Sequence, residues 1–118
     1  MDAVRQLVEM EAIRRLKARY WRCMDTKDWE GFASVFTDDA TLLFDTDVST
    51  LGRDGKPHPL ISTRQGVKDF VSEWGRYATT VHMGHTSEID ILSDAEARGI
   101  WSISRSPACA FPPTWSNG

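Results

Sequence analysis

The chain has 118 residues, with 14 Lys+Arg against 17 Asp+Glu, a formal net charge of −3 and 41% hydrophobic residues. That length fits one domain, and the composition is too apolar for a disordered chain. The mild acidity argues against a nucleic-acid partner, which calls for a clustered basic surface, and no apolar run approaches the ~20 residues that span a membrane.

Residues 3–24 predict a long amphipathic helix. Val4, Leu7, Val8, Ile13, Leu16, Tyr20, Cys23 and Met24 recur mostly at spacings of three and four, uninterrupted by Gly or Pro. Glu9, Arg14, Arg15, Lys17 and Arg22 form its wet face. Asp25-Thr26-Lys27-Asp28 then breaks the pattern with cap-forming residues. Trp29, Phe32, Ala33 and Phe36 predict a short second helix, ended by Thr37-Asp38-Asp39, and residues 40–44 read as a strand. Residues 45–62 contain Gly52, Gly55, Pro57 and Pro59 and read as a long loop, of the kind that often forms a rim or lid. A third helix begins near Ser62-Thr63 and sets Val67, Phe70, Val71 and Trp74 on one face. From Thr79 the period changes to two. Residues 79–92 and 97–104 predict a hairpin around Ser93-Asp94-Ala95-Glu96, with a bulge or bend at Gly84. The order α-α-β-α-β-β implies an α+β fold in which helices cover one face of a curved antiparallel sheet and enclose a pocket. Residues 1–105 read as that domain, and 106–118 as an irregular tail containing Pro and Ser.

The first residues are charged throughout and lack the apolar core of a signal peptide. Cys23 and Cys109 fit neither a metal-ligand spacing nor a disulfide framework, the pattern of a cytosolic chain with reduced thiols. Glycine-rich phosphate or dinucleotide motifs and a G-x-S-x-G elbow are absent.

His82 and His85 bracket Met83-Gly84. Three apart on an ideal strand, they point to opposite faces, although a bulge at Gly84 would bring them to one side. With no third ligand at useful spacing, no metal site is expected. One histidine serves better as a general acid or base, since imidazole titrates near neutral pH; the alternative is a strand histidine satisfied by a carbonyl. Tyr20 and Asp25 flank the end of the first helix, about 140° apart around its axis, so they share a pocket only if the helix unwinds near Met24. Asp25 could then orient a histidine and Tyr20 donate to a developing oxyanion. Alternatively, Asp25 caps the second helix and Tyr20 belongs to the core. Trp21, Trp29, Trp74 and Trp101 read as core and pocket lining, and Cys23 as buried.

The run EAIRRLKARYWRCMDTKDWE at 11–30, followed by FTDDA at 36–40, resembles the N-terminal signature of the SnoaL-like group. That group belongs to the nuclear-transport-factor-2-like superfamily of cone-shaped α+β folds. HMGHTSEIDI at 82–91 and ARGIWS at 97–102 strengthen the likeness, which covers residues 8–103. These motifs resemble bile acid 7-alpha-dehydratases and, more distantly, scytalone dehydratases and polyketide cyclases.

The resemblance implies Tyr20, Asp25 and His82 as catalytic residues, with His85, Trp101, Met24 and Phe44 lining the substrate site. It implies a cofactor-free, metal-free elimination of water from a small hydrophobic cyclic or polycyclic hydroxy-ketone, steroid- or polyketide-like. A non-catalytic small-molecule-binding domain of the same fold is the alternative. Dehydratase-like members carry W-x-x-E-D after the strand Trp, whereas this chain has Trp101-Ser102-Ile103-Ser104-Arg105, placing Arg105 where the family has an acid. Relatives also continue into further closing strands. The resemblance therefore implies a cone incomplete at its C-terminal side and a sheet edge suited to homodimer pairing.

Overall fold

A computed structural model describes residues 1–43, 56 and 60–105, the last in its backbone alone. Helix α1 runs Ala3–Asp25, α2 Trp29–Ala33 and α3 Arg64–Gly75. Strands β1 (Thr41–Leu42) and β2 (Ile61–Ser62) precede α3, and β3 (His82–Gly84), β4 (Glu88–Ile91), β5 (Ala97–Ile100) and β6 (Ile103–Arg105) follow it. The expected α+β arrangement is present. Phe44, the glycines and prolines of the expected lid, Cys109 and the tail lie outside the described residues.

Side chains set the helix boundaries. The Asp2 carboxylate accepts the Arg5 N–H at 2.8 Å and starts α1. At the far end Lys27 takes a left-handed backbone, φ 59°, which lets the Asp28 N–H donate to the Cys23 carbonyl at 2.8 Å. Asp28, not Asp25, then caps α2 by accepting the Gly31 N–H at 3.0 Å. Helix α2 stops at Ala33, short of the expected Phe36, because its last turn tightens: the Phe36 N–H bonds back to the Ala33 carbonyl at 3.1 Å. At α3, the Thr63 hydroxyl accepts the Gly66 N–H at 3.0 Å.

Two ionic ties lock α3 to the α2 region. Arg64 donates from Nε to the Phe36 carbonyl at 2.8 Å and pairs with Asp38 at 2.8 Å, while Lys68 pairs with Glu30 of α2. Ile61 and Ser62, expected in a loop, instead pair antiparallel with Leu42 and Thr41. The apolar side chains explain that correction, since Leu42 and Ile61 both pack against the core.

The core is built from Cys23, Met24, Phe32, Val67 and Val71, with Tyr20, Trp29 and Phe36 packed against it. Its aromatic centre is Phe32, whose ring lies 5.2 Å from both Tyr20 and Phe36 and edge-on to Trp29 at 5.7 Å. The expected apolar stripe of α1 is covered only toward its C-terminal end. Val4, Leu7 and Val8 are 73%, 62% and 61% exposed, and Leu16 is exposed as well. At ~34 Å a 23-residue helix outreaches α2, β3 and β4, the elements packed on it, and every residue through Glu9 stays in solvent.

The two long β runs expected from the sequence are each interrupted. β3 pairs antiparallel with β6 (Gly84↔Ile103), and β4 pairs with β5 (Glu88↔Ile100). Between these ladders, His85, Thr86 and Ser87 face only Trp101 and Ser102, so the first run carries one residue too many. The His85 N–H still reaches the Ser102 carbonyl at 2.8 Å, holding the two halves together. The irregularity expected at Gly84 is displaced: Gly84 pairs in register with Ile103, and the excess falls within residues 85–87. Trp21 of α1 presses on the same spot: a Cβ at Gly84 would stand 2.1 Å from the ring's Cζ3. Gly84→Ala is therefore expected to destabilise by about 1–3 kcal/mol in chemical denaturation through overpacking. Trp21→Leu in the Gly84→Ala background should recover part of that loss, whereas simple additivity would exclude the steric account.

Candidate functional site

The last residue of α1 and the first residue of β3 meet. Asp25 Oδ1 lies 2.6 Å from His82 Nδ1 and accepts the Thr80 hydroxyl at 2.7 Å, while Oδ2 accepts the His82 backbone N–H at 2.9 Å. The side chains are largely out of water, 20% exposed for Asp25 and 5% for His82, and Thr80 is buried. Because a carboxylate only accepts hydrogen bonds, Nδ1 carries a hydrogen, and in the neutral ring Nε2 is then the nitrogen with the lone pair. Nε2 has no protein partner among the described residues. The arrangement is an oriented imidazole with its basic nitrogen available for proton transfer.

Helix α1 does not unwind near Met24, so Tyr20 and Asp25 leave it in different directions. Tyr20 turns into the aromatic cluster of Phe32 and Phe36, and no hydrogen bond joins its hydroxyl to Asp25 or His82 among the described residues. Burial raises its phenol above the ordinary 10.0, keeping it a neutral donor. Met24 is a core residue beside Cys23 and Phe32. His85 does not join His82; it is exposed, and its Nε2 lies 2.7 Å from Ser104 Oγ. His85 and Trp101 both face a separate cleft in the seam between α1 and the β3–β4 segment. Phe44 and the Arg105 side chain lie outside the described residues. Among the described residues no cluster of His, Cys, Asp and Glu has metal-binding geometry, and no helix is long and apolar enough to cross a membrane.

Two neighbours were not singled out from sequence. Thr80 stands two residues before His82, the spacing that puts strand side chains on one face, and that signal could have found it. Lys17, assigned to the wet face, instead lays its ammonium 4.1 Å from the Tyr20 ring centroid, 5.0 Å from Trp21 and 5.5 Å from Trp101. Its position three residues before Tyr20 was the available clue. Burial pulls its pKa below the ordinary 10.5.

The family model for the SnoaL-like domain matches residues 5–106. The chain belongs to the SnoaL-like domain family. This SnoaL-like chain is 29% identical over 92 residues to "Probable cyclase FGR4" of Gibberella zeae, a match covering 77% of the chain and 61% of that protein. Its fold is similar to the "Putative Scytalone Dehydratase" of Novosphingobium aromaticivorans, with TM-score 0.69 and 24% identity over 85% of this chain and 60% of that one. A single-residue variant of Rv3472, a function unknown protein from Mycobacterium tuberculosis, gives TM-score 0.69 and 24% identity over 89% and 55% of the two chains. Aln2 from a Streptomyces species gives TM-score 0.60 and 15% identity over 84% and 74%. The chain thus spans about three fifths of the length of the first relatives it matches.

Two outcomes follow from the geometry. Asp25→Ala would leave the Thr80 hydroxyl and both His82 donors without an acceptor. It should lower unfolding stability by roughly 2–4 kcal/mol, with Asp25→Asn costing less; equal, negligible losses in urea titrations would contradict this. For the buried ionisable pair, the signs oppose. Lys17, lowered, contributes stability that grows as pH rises toward 10.5, whereas Tyr20, raised, loses stability as pH climbs above 10.0. The stability of the natural chain relative to Lys17→Met should therefore increase as pH rises toward 10.5, and a difference constant with pH would count against it.

Proposed function

We propose that the domain is a small-molecule lyase or isomerase that dehydrates a cyclic hydroxy-ketone by proton transfer alone. The observation that carries this reading is the 2.6 Å contact between Asp25 and His82 Nδ1, which leaves Nε2 poised as a base in a nearly water-free position. His82 Nε2 takes a proton from the carbon next to the substrate carbonyl, and the released electron pair becomes the enolate. The enolate re-forms its carbonyl as the hydroxyl on the β carbon departs, and the proton on Nε2 leaves with that hydroxyl as water. His82 ends the cycle as it began, so atoms and charge balance. Asp25 keeps the ring oriented and stabilises the imidazolium while it lasts. Tyr20, kept neutral by burial, supplies a hydrogen bond to the enolate oxygen.

The naming of relatives as a cyclase and a scytalone dehydratase supports chemistry of this class, with steroid- or polyketide-like ketones as the substrates to try first. That no hydrogen bond joins the Tyr20 hydroxyl to Asp25 or His82 among the described residues favours a second reading, a binding domain without turnover. Incubation with hydroxylated 3-oxo steroids and polyketide ketones, followed by mass spectrometry, separates the two. Loss of one water is expected, with kcat reduced about 10²–10⁴-fold in His82→Ala and KM little changed. Turnover unaltered in His82→Ala would remove His82 from the mechanism, and saturable binding of the ketones without water loss would establish the second reading.

A further inference from the structure

The seam between α1 and the β3–β4 segment holds a cleft of about 320 Å³ whose wall includes Arg14, Trp21, Gly84, His85, Ser87 and Trp101. Neither His82, Asp25 nor Tyr20 lines it, so it is distinct from the proton-transfer pair. Its two indoles are held by close backbone contact. Trp21 lies against Gly84, and Trp101 lies so close to Gly99 that a Cβ there would be 2.4 Å from the ring. Two indoles in one wall suit an aromatic or conjugated ligand.

The charge around the cleft has one sign. No Asp or Glu lines it among the described residues. Arg14 spans the seam, its Nε donating to Ser87 Oγ at 3.2 Å, and pairs with no carboxylate among the described residues. The Lys17 ammonium rests against both wall rings, 5.0 Å from Trp21 and 5.5 Å from Trp101, and it too has no carboxylate partner among the described residues. Lys17, partly stripped of water and without a carboxylate partner, is more stable with an anion nearby, and the exposed Arg14 guanidinium is free to meet one. A bare anion such as phosphate would satisfy the charge but would leave the two indoles of the wall unused.

We propose that this cleft binds a planar carboxylate, an aromatic or polyenoic acid, with its ring system against Trp21 and Trp101 and its carboxylate on the Arg14 guanidinium. Lys17 adds positive potential from behind the two rings. The guanidinium fork suits a carboxylate, and 320 Å³ is within the range of small-molecule sites.

Isothermal titration with 2-naphthoate, 2-acetonaphthone and acetate tests each component. Naphthoate should bind at least about tenfold more tightly than the neutral ketone, the ratio expected for one charge-assisted hydrogen bond. Acetate, lacking the ring, should not compete. Arg14→Gln, at an exposed position, should weaken naphthoate about tenfold, and raising the salt concentration should do likewise. His82→Ala should leave naphthoate affinity unchanged, which separates this site from the proposed catalytic one. Trp101→Phe should weaken binding less than Trp101→Leu if stacking contributes. Equal affinity for acid and ketone, insensitivity to Arg14→Gln in a variant with native circular dichroism, or no binding at about 1 mM would overturn the proposal.

Discussion

The Asp25 carboxylate is the junction on which the rest of the molecule turns. It ends the longest helix and accepts three hydrogen bonds from the chain around β3: the Thr80 hydroxyl, the His82 amide and the His82 ring. Asp25 cannot serve both this junction and the N-terminus of α2. The backbone settles the competition by giving that cap to Asp28, three residues on, through the left-handed Lys27. With Asp25 released from local capping, its acceptor capacity is spent across a sequence separation of more than fifty residues. Helices and hairpin are thereby tied at the same point where an imidazole is oriented. Fold stability and proton-transfer geometry have a common origin here.

The irregular register of the hairpin has a similar double consequence. One extra residue between β3 and β4 lets the strand pass Trp21 at Gly84 and then resume pairing. The excess falls beyond Gly84, which still pairs with Ile103, so His82 and His85 keep the opposite faces that strand alternation gives them. His82 goes to Asp25, whereas His85 goes to the outer cleft and Ser104.

Much of this was legible in the sequence because the signals were local. The limits of α1 and the start of α3 followed cap residues and apolar spacing, the turn near Ser93 followed polar composition, and the register slips just beyond Gly84, where a bulge was expected. Asp25 and His82, picked out by both chemistry and family resemblance, do meet, whereas Tyr20 turns into the aromatic cluster. What was not legible depended on how far neighbouring elements extend. An apolar stripe on α1 predicts burial only if something lies opposite it, and nothing among the described elements covers Val4, Leu7 and Val8. The β1–β2 pairing joins two-residue strands on either side of a long connection, too short to leave a periodic signal. Lys17 was misplaced for a related reason, since a long aliphatic stem can carry charge over an apolar face and three aromatic rings wait there.

Lys17 also connects the two halves of the molecule that chemistry would use. Its ammonium touches Tyr20, which belongs to the core cluster behind the Asp25–His82 junction, and the two indoles that wall the outer cleft. A cation on a tyrosine face draws on the ring's electrons and makes the phenolic hydrogen a better donor. Any anion settling near Trp21 and Trp101 would compete for that same positive charge. One partly dehydrated charge is shared by three rings, two of which line the cleft.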